Sequence, residues 1–291
     1  MQMSRLFRIF VVQNILYVMI KQFTSYLENI KGYSENTARA YGKDLTRFAK
    51  WVRVHHPSER WSTITRDLID EYITERSENG LSPETTNREL ASISGLYRYF
   101  IRQGWLTKNP CRYQSRRKQG QHLPSVIPLE ELKAGYNNSY GVTRIWIGLL
   151  MTTGIRISEL LALEWSDFDF KACSIEIHGK GNKDRIVFST PEVLEPLRKM
   201  AEYRPRSGRL WDRDARDVRY IIHEALKGFS SAKQLSPHAI RHTMATEFAR
   251  QGANVTTLAK ILGHNQLATT QKYINMACID TRQAISNYKI I

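Results

Sequence analysis

The hydrophobic pattern of residues 20–107 predicts a small bundle of four helices. Phe23, Leu27 and Ile30 recur at helical spacing in the first of them. Ser34 is a good N-cap for the second helix, because its hydroxyl can accept a backbone N–H of the first turn. The apolar stripe of that second helix consists of Ala38, Tyr41, Leu45, Phe48, Ala49 and Val52.

Two further helices are predicted over Ile64 to Arg76 and over Pro83 to Gln103. The last one has strong boundary signals, with Ser82 as N-cap, a proline in the first helical position and Gly104 just past its end. Residues 20–107 therefore form a helical domain.

From Ile127 onward helices still dominate, but one segment has the pattern of a β-hairpin. Residues 174–178 alternate apolar and polar side chains, and residues 185–188 alternate back. Between them, residues 179–183 read Gly-Lys-Gly-Asn-Lys, a composition typical of a tight turn. The predicted fold class is mainly α, of the α+β kind, with a small antiparallel sheet in the C-terminal domain.

Composition is that of a folded globular protein with an excess of positive charge. The 291 residues are 42% hydrophobic and 24% charged, and the length suggests two domains. A formal net charge of +15 favours a polyanionic partner, with nucleic acid first among the candidates. A basic protein without such a partner is the alternative at this point.

The charge is most concentrated in residues 108–125, which hold five basic side chains and no acidic one. Pro110, Gly120 and Pro124 interrupt any helical periodicity there. We interpret this segment as a linker along a phosphate backbone; a solvated linker that touches nothing is the alternative. The predicted domains are thus 20–107 and 126–291, joined by the basic linker.

The first 19 residues have doubtful status. Leu6 to Ile20 is apolar but interrupted, and its longest unbroken apolar run is only six residues, too short to span a bilayer. The segment is either an amphipathic first helix or an extension before a translation start at Met19, and we favour the second interpretation. Deletion of residues 1–18 is then expected to leave activity intact.

Cysteine usage indicates a reducing compartment. The three cysteines are far apart, and neither a CxxC pair nor an HExxH pattern occurs, so no disulfide framework or zinc site is predicted. We expect a cytoplasmic protein that does not associate with a membrane.

Candidate chemistry lies in the C-terminal block, in motifs that are weak one at a time. His238 and Arg241 are three residues apart in the first turn of a predicted helix, where free N–H groups suit a phosphate. Arg156 begins another helix, and Glu159 is placed to orient it. A solvated surface position is the alternative for each.

Three more polar residues complete the set. Lys180 stands in the glycine-flanked turn of the hairpin, in a sequence that does not match a nucleotide-binding phosphate loop. His264 follows Gly263 at the end of a short helix, and Tyr273 comes nine residues later.

Taken together and in this order, these motifs resemble the catalytic domain of the tyrosine recombinases, also called the phage integrase family. The sequence is most similar to the Xer-like, single-chain bacterial members. The upstream segment YSENTARAY at 33–41 is similar to the family's N-terminal core-binding, SAM-like domain, and the resemblance covers residues 20–285. The segments that carry it in the C-terminal block are TGIRISEL at 153–160, GKGNKDR at 179–185, SPHAIRHTMAT at 236–246 and LGH at 262–264 with the tyrosine at 273.

The resemblance implies a site-specific recombinase that cuts and rejoins DNA through a covalent 3′-phosphotyrosine. Tyr273 is expected to attack the scissile phosphate and to release a 5′-hydroxyl. Arg156 and Arg241 are expected to brace the non-bridging oxygens, where negative charge develops, and His264 to add a hydrogen bond there.

Proton transfers are assigned by the same resemblance. Lys180 is expected to protonate the leaving 5′-oxygen, His238 to assist proton transfer at the tyrosine, and Glu159 to orient an active-site cation. No metal, cofactor or ATP is expected, because the arginines neutralise charge and the covalent bond conserves the energy of the phosphodiester.

The expected partner is double-stranded DNA, held between the two basic domains. The resemblance further implies a homotetramer on paired sites, built by exchange of the C-terminal tail, although packing of the tail in cis is the alternative. Accessory DNA-bending proteins are a further expectation. The predicted phosphate contacts are Arg39, Lys43, Arg47, Arg88, Arg98, Arg112, Arg116, Arg117 and Lys118.

Two other functions remain open from the sequence. A type IB topoisomerase uses similar tyrosine chemistry on a single duplex, and a DNA-binding protein can keep the fold without catalysis. The separate helical domain and the tail favour recombination over the first, and the complete set of six candidate residues disfavours the second.

Overall fold

The computed structural model of the chain describes residues 18–112, 117, 124–179, 184–203, 208–264 and 266–278. The chain divides into two compact units, residues 1–121 and residues 122–291. The question of where translation starts concerns residues outside the described ones. Within the described residues, none of the helices combines the length and the apolar character that a membrane span needs.

The N-terminal unit is the predicted four-helix bundle. Its core is aromatic: Phe23, Phe48, Tyr72 and Tyr97 are almost completely buried, and Phe48 meets Tyr72 edge-on with ring centroids 5.0 Å apart. Its helices are α1 (18–29), α2 (Glu35–His55), α3 (Arg66–Glu78) and α4 (Pro83–Arg102).

Local capping chemistry sets the helix starts in this unit. As predicted, the Ser34 hydroxyl accepts the backbone N–H of Thr37, and the Ser82 hydroxyl does the same at the start of α4. The start predicted for α3 at Ile64 is wrong by two residues, because Thr65 is the N-cap and Ile64 is buried just before the helix. Ile30 lies past the end of α1 and is 64% exposed, so the apolar stripe of α1 ends at Leu27.

The C-terminal unit wraps helices around one apolar helix, α6, whose Ile147, Leu149 and Leu150 have no exposed surface. Because α6 is buried on all sides from Ile145 to Leu150, it is apolar around its whole circumference there. The helices of this unit are α5 (Leu129–Asn137), α6 (Gly141–Thr153), α7 (Ile157–Ala162), α8 (Pro191–Ala201), α9 (Ala215–Lys227), α10 (Pro237–Arg250), α11 (Val255–Leu262) and α12 (Leu267–Cys278).

A three-stranded antiparallel sheet in the order β1-β2-β3 completes the unit, with β1 (Phe168–Asp169), β2 (Ser174–Ile177) and β3 (Arg185–Phe188). The β2–β3 hairpin and the mainly helical fold class are confirmed. Strand β1 was not predicted, because a two-residue strand has no periodicity to detect. Arg185 pairs with Ile177 and Val187 with Ile175, so Arg185 lies on the core-facing side of the sheet.

Candidate active site

The candidate site forms where two tight turns meet the start of α10. Gly154 ends α6 with a left-handed backbone (φ 59°), and a Cβ atom there would lie 2.1 Å from Met244 Cε. Gly263 ends α11 in the same way (φ 63°). Both positions require glycine, and the turns aim their carbonyl oxygens at the arginines described next.

Arg241 lies at the centre of the site and is 2% exposed. Its guanidinium donates to the carbonyl oxygens of Gly154 and Leu262, the second at 2.6 Å, and lies 3.1 Å from His264 Nε2. No carboxylate among the described residues forms a hydrogen bond with it. Burial, assisted by the nearby Arg156 charge, lowers the pKa of Arg241 to about 10. This buried cation therefore has no carboxylate of the described residues in direct contact, and the charge of Glu159 acts on it only from farther away.

Arg156 reaches the same turn as Arg241. It is the N-cap residue of α7, and its Nη2 donates to the Gly263 carbonyl at 3.2 Å. Its other terminal nitrogen pairs with Glu159 at 2.8 Å, and its side chain is 42% exposed. Arg156 and Arg241 thus bind adjacent carbonyls, those of residues 263 and 262, which brings the two predicted phosphate-binding arginines together.

Glu159 pairs with Arg156 and also holds a second arginine. Arg185 contacts both carboxylate oxygens, at 2.8 and 3.1 Å, and donates from Nε to the Ile261 carbonyl. Burial alone would raise the pKa of Glu159, but the hydrogen bonds from Arg185 and Arg156 lower it to about 2. The sequence analysis did not assign Arg185, although a charged residue at a core-facing strand position was the available signal.

His264 uses both ring nitrogens. Since the Arg241 N–H groups can only donate, Nε2 accepts, and Nδ1 carries the proton that it donates to Thr270 Oγ1 at 2.8 Å. Burial, together with the charges of Arg241 and Arg156, lowers the pKa of His264 to about 4. The imidazole is therefore neutral at pH 7 and lies nearly parallel to the Tyr273 ring.

Tyr273 is buried, 1% exposed, on α12, which packs against α10 and α11 of the same chain. Its hydroxyl lies 2.7 Å from His242 Nδ1, and Lys272 Nζ lies 5.1 Å from the centre of its ring. Burial raises the pKa of Tyr273, and the charges of Arg241 and Arg156 partly oppose this. The tyrosine is protonated and lies in the site that its own chain forms.

The structure places His242, rather than His238, at the tyrosine. His238 is exposed at the first turn of α10, its ring packs edge-on against His242, and among the described residues it forms no hydrogen bond with the Tyr273 hydroxyl. His242 was not assigned by the sequence analysis. The available signal was its position next to Arg241.

Lys180 lies outside the described residues, so its predicted role stays a prediction. At the base of its hairpin, His178 lies within 3.4 Å of both Asp167 and Asp184, and the hydrogen bond to Asp184 raises the pKa of His178. Within the described residues, one group has metal-ligand geometry: Glu176, His178 and Asp184, all exposed.

The N-terminal unit brings part of the predicted DNA-contact set together. Arg39, Lys43 and Arg47 line one groove between α1 and α2, which Lys21 and Lys50 also line. The groove therefore carries five basic side chains against two acidic ones, Glu28 and Glu35.

Buried carboxylates hold two of the predicted contact arginines. Arg47 donates to Glu89 at 2.6 Å, and Arg88 binds both oxygens of Asp44 at 2.9 and 3.0 Å. Both carboxylates are 1% exposed, whereas each arginine side chain is 45% exposed. A buried carboxylate therefore orients each guanidinium, while the arginine side chain remains partly exposed to solvent.

The other predicted contacts lie apart from that groove. Arg98 and Arg112 are exposed, and Arg117 exchanges backbone hydrogen bonds with the Asn87 side chain on α4. Arg116 and Lys118 lie outside the described residues.

Two family descriptions match the chain. "Phage integrase family" matches residues 129–278, and "Phage integrase, N-terminal SAM-like domain" matches residues 20–104. A protein named tyrosine recombinase XerC from Listeria monocytogenes serotype 4a is 30% identical over 277 residues, 88% of this chain and 92% of that protein. The XerC of Lacticaseibacillus casei is 28% identical, over 92% of this chain and 97% of that protein.

Solved structures with the same fold include two proteins bound to DNA. The XerH site-specific recombinase in a post-cleavage complex has a TM-score of 0.72 and 20% identity, over 91% of this chain and 84% of that one. The Tn1549 transposon integrase bound to transposon right end DNA has a TM-score of 0.71 and 18% identity, over 92% of this chain and 99% of that one.

Proposed function

The chain belongs to the phage integrase family of tyrosine recombinases, and from that premise we propose how its residues cut and rejoin DNA. The enzyme is a site-specific recombinase that acts by DNA strand breakage and rejoining. We assign Tyr273 as the nucleophile, Arg156 and Arg241 as the phosphate clamp, and His264 as an additional ligand of the phosphate.

The observation that carries this assignment is the buried charge of Arg241, which no carboxylate of the described residues contacts directly. A buried cation without a contacting counter-anion is costly, and a phosphodiester placed beside it supplies that anion. Arg156 binds the neighbouring carbonyl of the same turn, so its half-exposed guanidinium is placed to reach the same phosphate. A pair of arginines also stabilises the additional charge of the pentacoordinate transition state.

Tyr273 lies close enough to the two arginines to attack a phosphate that they bind. His264 bonds to Arg241 through one nitrogen, and its ring stacks with that of Tyr273 at 6.3 Å between centroids. In cleavage, the Tyr273 hydroxyl loses its proton to a histidine of α10, its oxygen bonds to phosphorus, and the bond to the 5′-oxygen breaks. That oxygen leaves with the electron pair and takes a proton, for which Lys180 is the proposed donor. The reverse reaction by a 5′-hydroxyl of another strand gives recombination.

We further propose that double-stranded DNA binds the basic groove of the N-terminal unit and the arginine site of the C-terminal unit. The DNA-bound neighbours of the same fold support this. Asp44 and Glu89 keep Arg88 and Arg47 extended toward the solvent, where these arginines can contact DNA phosphates. Assembly into a tetramer on paired sites, tail exchange between protomers and a cytoplasmic location remain parts of the same proposal.

The test is covalent trapping. DNA from the native host that is covalently attached to the protein is sequenced, and a nicked duplex of the recovered sequence is used as a suicide substrate. We expect a denaturant-stable protein–DNA complex that disappears in Tyr273→Phe and persists in Tyr220→Phe, an exposed tyrosine of the same unit. A covalent complex that persists in Tyr273→Phe would refute the nucleophile assignment.

A further inference from the structure

We propose that Arg185 is a positioning residue, which holds Arg156 at the scissile phosphate and keeps the charge of Arg156 available to that phosphate. The proposal rests on the function proposed above, in which Arg156 is part of the phosphate clamp. Arg185 is the first residue of β3, and its side chain is 11% exposed. Its described hydrogen bonds end on the two segments of the chain that hold Arg156.

Glu159 is the first of these anchors. Its carboxylate accepts the Arg156 backbone N–H and the Arg156 Nη1, each at 2.8 Å. Arg185 binds both oxygens of the same carboxylate, at 2.8 and 3.1 Å. Because a bidentate guanidinium fixes the plane of a carboxylate as well as its position, Arg185 sets the orientation of the group that orients Arg156.

The second anchor is the carbonyl of Gly263, which accepts Arg156 Nη2 at 3.2 Å. Arg185 donates from Nε to the carbonyl of Ile261, two residues earlier, at 2.9 Å. A Cβ atom at position 263 would lie 2.9 Å from Arg185 Nη1, so the Arg185 guanidinium also packs directly against Gly263. Both described anchors of Arg156 are therefore held in place by Arg185.

The charges of these three side chains explain why the site needs a second arginine at Glu159. The Glu159 side chain is 9% exposed, so water screens its charge only weakly. With Arg156 as its sole partner, the carboxylate would cancel the charge that a phosphate needs. With Arg185 added, two guanidinium ions and one carboxylate leave one positive charge, and Arg156, whose side chain is 42% exposed, presents it to the substrate.

Arg185 acts through Arg156 and does not bind the phosphate itself. Its Nε, Nη1 and Nη2 are each engaged with Ile261 or Glu159, and little of its side chain is exposed. The planar guanidinium is essential to this arrangement, because a lysine ammonium is a point charge that cannot span two carboxylate oxygens and a carbonyl in one fixed plane. Arg185 therefore contributes geometry and charge balance to the clamp.

The test compares Arg185→Gln with Arg198→Gln in single-turnover cleavage of the suicide duplex recovered by covalent trapping. Arg198 is the matched control, since it binds both oxygens of Glu195 in the same unit but is 47% exposed. We expect Arg185→Gln to cleave about 10²-fold more slowly, the effect of displacing a positioned group by about 1 Å. DNA affinity should change little, because one phosphate contact among many is affected. Arg198→Gln should cleave at the wild-type rate.

Two further measurements separate positioning from a structural defect. In an Arg156→Ala background, Arg185→Gln should cost less than about threefold, because a residue that acts through Arg156 then has nothing to position. A methylphosphonate, in which a neutral methyl group replaces one non-bridging oxygen of the scissile phosphate, needs less positive charge at the clamp. The diastereomer that reduces the loss in Arg156→Ala should also reduce the loss in Arg185→Gln.

A second variant covers a failure to fold. If Arg185→Gln does not fold, Arg185→Lys undergoes the same comparisons. Its loss should be smaller, because lysine keeps the charge but not the planar contacts, and that loss should again disappear in the Arg156→Ala background.

An Arg185→Gln rate within about threefold of wild type overturns the proposal, as does a loss that persists in full in the Arg156→Ala background or on the methylphosphonate. The outcomes also separate this inference from the function beneath it. If Arg156→Ala cleaves as fast as wild type, or if neither diastereomer reduces its loss, the proposed phosphate clamp fails. If cleavage requires Arg156 but not Arg185, only this inference fails.

Discussion

Glu159 is the carboxylate on which two arginines of the site depend, and Glu159→Gln should reveal its contribution to stability. Burial alone would raise the pKa of the Glu159 carboxyl, but the bonds from Arg185 and Arg156 lower it from 4.5 to about 2. That difference of about 2.5 corresponds to about 3 kcal/mol, at about 1.36 kcal/mol per pH unit. Glutamine keeps the shape but leaves Arg185, which is 11% exposed, without its counter-charge.

The sign of the pH dependence follows from the lowered pKa. The contribution is fully present above the unfolded value of 4.5 and is lost as pH falls through about 2, because wild-type Glu159 then becomes protonated as well. The stability gap between wild type and Glu159→Gln should thus be about 3 kcal/mol at neutral pH and close as pH approaches 2.

The assay is urea unfolding at several pH values, followed by hydrogen exchange of peptides from residues 122–291, so that the two units are resolved. Glu130→Gln is the matched control, since Glu130 pairs with Lys133 in the same unit but is 83% exposed. We expect its effect to remain within about 1 kcal/mol at every pH. A Glu159→Gln gap that is independent of pH, or no larger than that of the control, would refute the reasoning.

Two further predictions concern the turns and the histidines. Gly154→Ala should destabilise the C-terminal unit by about 1 to 2 kcal/mol, because an alanine must adopt a left-handed backbone there and the end of the Met244 side chain must move aside. Gly228→Ala, with open space around it, should change the same hydrogen-exchange measurement by less than about 1 kcal/mol. DNA binding should take up protons, because phosphate charge opposes the cations that, after burial, help to lower the pKa of His242 and His264. The affinity should then rise as pH falls from about 6 toward about 4, the pKa of His264 in the free protein, and titration calorimetry near pH 5 in buffers of different ionisation enthalpy should give different apparent enthalpies; identical enthalpies would contradict the reasoning.

Local signals in the sequence predicted the helical architecture well. Ser34 and Ser82 cap their helices as expected, since capping depends on residues only three positions apart. The hairpin was equally visible, because alternation within β2 and β3 reports which face is buried. The error at Ile64 arose because burial continues through the residue before a helix, whereas the cap at Thr65 marks its start.

The parts of the site that were missed depend on contacts between distant segments. Arg47 and Glu89 are 42 residues apart, and Arg241 binds the carbonyl of Gly154, 87 residues away. A backbone carbonyl has no signature in the sequence, so the arginines' acceptors could not be foreseen. His242 and Arg185 stood inside the quoted motifs, but only the folded chain shows which side chain of a motif reaches the tyrosine.

The segment from Ile261 to His264 limits which sequence changes the site can tolerate. Three consecutive carbonyls there accept from Arg185, Arg241 and Arg156 in turn, and the fourth residue supplies an imidazole. Carbonyl oxygens are the same in every amino acid, so many side-chain replacements at 261 and 262 would preserve these bonds. Insertion or deletion of a single residue would shift all of them at once. The number of residues in this turn is therefore constrained more strongly than their identity. A design that transfers the site to another protein must keep that number.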